Sequence, residues 1–169
     1  PQIYNITLVG DSPGAESDIG MLLREGTAAH IYNAIVLNFS DEGLDIDDAE
    51  TFSNAWDAVN QTLSGELIVN NSFFFDNGSP WSTDDETAMP FTTQEFMTTY
   101  NDNIWLQDPG LVAPYDKSNP DFRPNAGPLA ATNTPEAPPA DGFFEQVNFI
   151  GGMDPNNNWI AGWTTSAQN

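Results

Sequence analysis

Short apolar runs separated by polar corners dominate the first half of the chain. Ile3-Tyr4-Asn5 leads into Ile6-Thr7-Leu8-Val9, and Ile31-Tyr32-Asn33 into Ala34-Ile35-Val36-Leu37. Ile68-Val69-Asn70 leads into Asn71-Ser72-Phe73-Phe74-Phe75. The asparagines closing these tripeptides, Asn5, Asn33 and Asn70, recur 28 and 37 residues apart, a period typical of solenoids and arrays. The runs are β-branched or aromatic and bounded by Gly, Asp, Ser and Asn, which marks them as strands. Ile19 to Leu23 and Leu44 to Ile46 add further short apolar runs, so each repeat offers the strands that one coil of a β-solenoid requires. An Asn fixed in each coil has a use: it tolerates the left-handed backbone of a tight corner, and its amide can bond from coil to coil. The pattern places Asn5, Asn33 and Asn70 at equivalent corners, with Ile6, Leu8, Ile35, Leu37 and Phe74 facing inward. The competing reading is chance recurrence of a common tripeptide.

Two segments read as helices. Thr51 to Leu63 sets Phe52, Trp56 and Val59 at helical spacing, and as an insertion between coils it explains the longer second interval. Thr92-Thr93-Gln94-Glu95 is a capping box ahead of Phe96, Met97 and Tyr100. From Asp108 the character changes. Prolines at 109, 114, 120, 124, 128, 135, 138 and 139 exclude a regular helix or central strand. The tail turns aromatic again at Phe143-Phe144, Phe149, Trp159 and Trp163. This division gives coils with helical insertions over residues 1–107 and a Pro-rich, aromatic wrap over 108–169.

Composition narrows the function. Twenty-five Asp and Glu face three Lys and Arg, a formal net charge of −22. Phosphate recognition needs clustered cations, so nucleic acid is excluded as a partner, and anionic membranes are disfavoured. Salt screening or divalent cations relieve the self-repulsion of such a surface. The chain has no Cys and no apolar run long enough to insert in a membrane. It opens on a strand-like run without a signal peptide, so the expectation is that either upstream coils precede Pro1 or another chain covers the open first coil.

Taken in order, several stretches resemble a known family. They are Pro1-Gln2-Ile3-Tyr4-Asn5-Ile6-Thr7-Leu8-Val9-Gly10, Leu22-Leu23-Arg24-Glu25-Gly26-Thr27 and Gly43-Leu44-Asp45-Ile46-Asp47-Asp48. Later come Asp121-Phe122-Arg123-Pro124, Gly127-Pro128, and Phe143-Phe144 through Phe149-Ile150-Gly151 to Gly162-Trp163-Thr164. The chain resembles the C-terminal part of secreted, poorly characterised parallel β-helix proteins of Bacteroidota-like bacteria. The resemblance implies an all-β fold of right-handed parallel β-helix coils at the cell surface or in the extracellular space. It implies no chemistry.

Candidate chemistry is sparse. Asp45, Asp47 and Asp48 follow Asp41 and Glu42 at a strand end, and hard oxygen ligands at short spacing suit Ca²⁺. In a strand, Asp45 and Asp47 share the outer face while Leu44 and Ile46 point inward; a solvated acidic corner is the alternative. His30, the single histidine, reads as structural. Arg24, Lys117 and Arg123 are the only cations. A lyase needs one beside its uronate, whereas Arg24 is expected to pair with a carboxylate and Arg123 to anchor the wrap. No catalytic residue is assigned. Sequons at Asn38, Asn60 and Asn77 fall in expected loops, with chance occurrence as the default.

Three functions remain, ranked in this order. The first is an extracellular structural scaffold, not an enzyme, that self-associates head to tail into filaments. The second is a carbohydrate-active glycosidase or lyase, with a groove of exposed Trp or Tyr between two carboxylates. The third is a calcium-dependent adhesin for glycans. Filament formation follows from an open first coil, which exposes strand edges. The aromatic tail either completes a neighbour's core by strand addition or folds back on its own coils.

Overall fold

The computed structural model describes residues 1–11, 17–125 and 133–162. β1 (Gln2–Tyr4), β2 (Thr7–Val9) and β3 (Met21–Leu23) make a first coil, and β4 (His30–Tyr32), β5 (Ile35–Leu37) and β6 (Glu42–Ile46) a second. Helix α1 (Ala49–Asn54) and an antiparallel hairpin of β7 (Trp56–Asp57) and β8 (Thr62–Leu63) follow as an insertion. β9 (Ile68–Asn70), β10 (Ser72–Phe75) and β11 (Ser79–Trp81) complete a third coil. Helix α2 (Thr93–Glu95) runs into a π turn over Phe96–Tyr100 and leads to β12 (Ile104–Trp105). β13 (Leu111–Ala113) and β14 (Asp121–Pro124) form an antiparallel hairpin beyond it.

The coils stack through three parallel sheets, ordered β1-β4-β9, β2-β5-β10-β12 and β3-β6-β11. This is a parallel β-helix. No helix among the described residues is long and apolar enough to cross a membrane.

The register corrects one corner. Tyr4 pairs with Tyr32, and Tyr32 with Asn70. The residues one step on, Asn5, Asn33 and Asn71, are therefore equivalent, and Asn103 joins them because Ser72 pairs with Ile104. All four have left-handed backbone, with φ of 59°, 60°, 52° and 57°. Asn70 is instead the last residue of its strand.

The inward face also differs from expectation. Leu8, Val36 and Phe74 share a register position, and Val36 and Phe74 lie in the main core with Ile31, Leu44, Ile46 and Val69. Ile6 and Leu8 pack against that core as expected. Ile35 and Leu37 point the other way. They join Phe73, Leu111 and Ile150 in a second cluster outside the solenoid. These strands are apolar on both faces because C-terminal segments cover the outer one.

The first expected helix stops early. It covers Ala49–Asn54 and buries Phe52. Beyond it, the Asp57 carboxylate accepts from the Val59 and Asn60 backbone N–H groups. That local turn competes with helical bonding, and Val59 is left 91% exposed. The second helix has its capping box, with Thr92 and Glu95 bonded reciprocally. Its π turn buries Phe96 and Met97 against Phe91 and Phe52.

Candidate functional site

The corner asparagines hold the C-terminal segment as a strap. Asn71 donates its side-chain N–H to the Thr134 carbonyl at 2.8 Å. On the next coil, Asn33 donates to the Glu136 carbonyl at 2.9 Å and accepts from the Glu136 N–H at 2.8 Å. On the first coil, Asn5 donates to the Phe149 carbonyl. The strap therefore descends the corner from the third coil to the first. Asn33 also donates to the Asn5 side chain at 3.2 Å, the coil-to-coil bond expected of stacked asparagines. Beyond the corner the strap crosses the second sheet. Gly151 donates to the Asn33 carbonyl and Gly152 to Thr7 Oγ1, both at 2.9 Å. Only glycine fits there: Gly151 has φ +89°, and a Cβ would stand 2.6 Å from Ile35 Cδ1.

The tail thus packs on its own coils, with Ile150 2% exposed against Ile35 and Leu37. Phe143 and Trp159 stay 84% and 51% exposed, and Trp163 lies outside the described residues.

Between its anchor at Asn33 and its return at Asn5, the strap borders a tyrosine pair. Alternation along β4 buries Ile31 and leaves Tyr32 half-buried on the outer face, and Tyr4 takes the same register position on β1. The two tyrosine rings stack, with centroids 4.9 Å apart and planes at 24°. Phe144 meets Tyr4 edge-on at 5.1 Å, and His30 meets Tyr32 edge-on at 6.5 Å. Burial and then the negative charge of Glu136 hold the Tyr32 phenol above its ordinary value. Burial, Tyr32 and Glu136, in that order, do the same for Tyr4. Both hydroxyls are therefore uncharged near neutral pH, each able to donate and accept hydrogen bonds. The result is an outward-facing row of aromatic rings, hydroxyls and one carboxylate, drawn from two coils and the strap. Sequence reasoning missed it, although Tyr recurs in Ile3-Tyr4-Asn5 and Ile31-Tyr32-Asn33; that recurrence was the available signal. His30 Nε2 lies 2.9 Å from the Gly65 carbonyl.

The acidic residues singled out from sequence lie on the third sheet. Leu44 and Ile46 are fully buried, and Asp45 alternates outward between them. Burial and the carboxylates of Asp47, Asp84 and Asp85 raise the Asp45 value, against a Ser82 hydrogen bond that lowers it. Asp48 is a capping residue. Its Oδ1 accepts from the Thr51 N–H at 2.9 Å, and its Oδ2 accepts from the Glu25 N–H. Asp45, Asp47 and Asp48 are thus not drawn together as ligands. Among the described residues, no three His, Asp or Glu side chains are grouped to hold a metal ion.

Among the described residues, two cations pair with carboxylates. Lys117 meets Asp11, and Arg123 grips Asp121 with Nη2–Oδ2 2.6 Å and Nε–Oδ1 2.9 Å. A cavity of about 340 Å³ opens beside Trp81, Met97, Ile104 and Leu106, with Asp102 as the one carboxylate among its described lining residues. It lacks the facing pair that glycoside hydrolysis requires.

The three-sheet stack with its outward face defines a parallel β-helix domain. The chain belongs to the family of pectate-lyase-like β-helix domains, whose profile matches residues 1–108. No curated protein and no solved structure matches it.

Proposed function

We propose that this domain is an exported scaffold, a right-handed β-helix that binds polysaccharide on its Tyr4–Tyr32 face without cleaving it. The observation that carries this reading is the stacked tyrosine pair, flanked by Phe144 and set outward on successive coils. Aromatic rings with a wet polar edge suit ligands that are apolar on one side and hydroxylated on the other. The pair spans two successive coils at the strand spacing, and Asn70 continues the row with a polar side chain on the third, so a short stretch of polymer can lie along it.

Membership of a lyase-like family favours cleavage as a second reading. Eliminating across a uronate calls for a cation beside the sugar, but Lys117 and Arg123 pair with carboxylates elsewhere. Glu136 puts negative charge at the tyrosine face.

Affinity gel electrophoresis of the full chain through xylan or a β-glucan, with and without Ca²⁺, tests the proposal. The expected result is retardation that falls several-fold in Tyr32→Ala. Equal mobility of the two proteins, or shortening of the polymer, overturns it.

A further inference from the structure

We infer that Glu136 sets the charge selectivity of the tyrosine face: clamped by Asn33, it admits neutral, hydroxyl-rich sugars and excludes uronates. The inference rests on the glycan-binding reading above. The Glu136 backbone is fixed on the coils. Glu136 is exposed, and its backbone is held at both N–H and C=O by an asparagine amide that is itself 0% exposed. Asn33 directly follows Tyr32, so the clamp sets the strap beside the ring. The strap then returns with Phe144 on Tyr4, which keeps Glu136 on the tyrosine side of the coils, where its charge helps raise both phenols.

A carboxylate anchored through its backbone at this place accepts hydrogen bonds from sugar hydroxyls and repels a sugar carboxylate, and selectivity commonly rests on such a repulsive element. The rest of the surface is also acidic. What distinguishes Glu136 is its placement beside the rings, so removing its charge should matter more than removing a remote one. Asn33 is the positioning residue.

The test is binding of the full chain to xylan and to polygalacturonate at fixed ionic strength. Wild type, Glu136→Gln, Tyr32→Ala and the remote control Glu50→Gln are compared. In Glu136→Gln, the preference for xylan over polygalacturonate is expected to narrow by roughly tenfold, while Glu50→Gln keeps the wild-type ratio. Asn33→Gly retains the left-handed backbone but frees the clamp. It narrows the ratio too, whereas a purely structural Asn33 lowers binding of both polymers alike. If Tyr32→Ala loses xylan binding while Glu136→Gln leaves the ratio unchanged, the selectivity inference fails and the binding reading stands. If Tyr32→Ala binds as wild type, the face itself is refuted.

Discussion

Asparagine at the first corner does two jobs, and each is visible in single side chains. It takes a left-handed backbone that costs other residues about 1–2 kcal/mol, and it turns its amide onto the strap. Asn71 does both, with φ 52°, 6% exposure and a bond to the Thr134 carbonyl. Asn70 sits in β9, and its side chain accepts from the Asp102 N–H instead of holding the strap. Asn71→Ala is therefore expected to cost about 2–3 kcal/mol, and Asn70→Ala under about 1 kcal/mol. Asn71→Gly should recover the backbone part. Thermal unfolding of the three variants checks the ranking; equal losses for Asn70→Ala and Asn71→Ala would contradict the register. Sequence reading reached the right kind of residue but slipped by one. The tripeptide Ile68-Val69-Asn70 imitates Ile31-Tyr32-Asn33, whereas the repeat is His30-Ile31-Tyr32-Asn33 against Ile68-Val69-Asn70-Asn71. The doubled Asn hid the phase.

At the level of elements, the short parallel strands were legible because each run is bounded by turn residues. Their facing was not. Ile35-Val36-Leu37 and Phe73-Phe74-Phe75 are apolar throughout, and a run buried on both sides shows no alternation to read. The second apolar layer comes from distant segments, Leu111 and Ile150, which no local pattern connects to these strands. The strap rests on the coils through corner asparagines and a few apolar contacts, so it should release before the coils open. Ile150→Ala removes a side chain that is 2% exposed, a change worth about 2–5 kcal/mol at a well-packed site. Limited digestion with a protease of broad specificity, followed by mass spectrometry, should show faster cutting within the strap and unchanged protection of the coils. Equal acceleration in both would show that strap and solenoid unfold together.

For the whole molecule, the −22 charge gives stability a maximum on the acid side of neutrality. Glu42 is held above its ordinary value by burial first, then by Asp41, Asp45, Asp84 and Asp18; Asp45 is raised as well. Raised carboxylates favour the folded state while protonated, and this contribution is lost as pH rises through their folded values. Asp48 is lowered by hydrogen bonds from Thr51 and Glu25, and Asp121 chiefly by its bond from Arg123. Their contribution is present above the unfolded values and is lost as pH falls through the folded ones. Melting temperature should rise as pH falls from neutrality toward the ordinary carboxylate range, then drop within that range and below it. Calorimetry at fixed ionic strength checks this, and Glu42→Gln should flatten the first limb.

The acidity was plain in the composition. The tyrosine face was not, because its parts come from residues 4, 32, 136 and 144 and meet only when coils stack and the strap returns. The most direct test is prolonged incubation of the full chain with xylan and with polygalacturonate, reading both protein retained on the polymer and polymer length. The account predicts retention on xylan, little on polygalacturonate, and unchanged length of both. Release of shortened or unsaturated products, or retention on polygalacturonate alone, would contradict it.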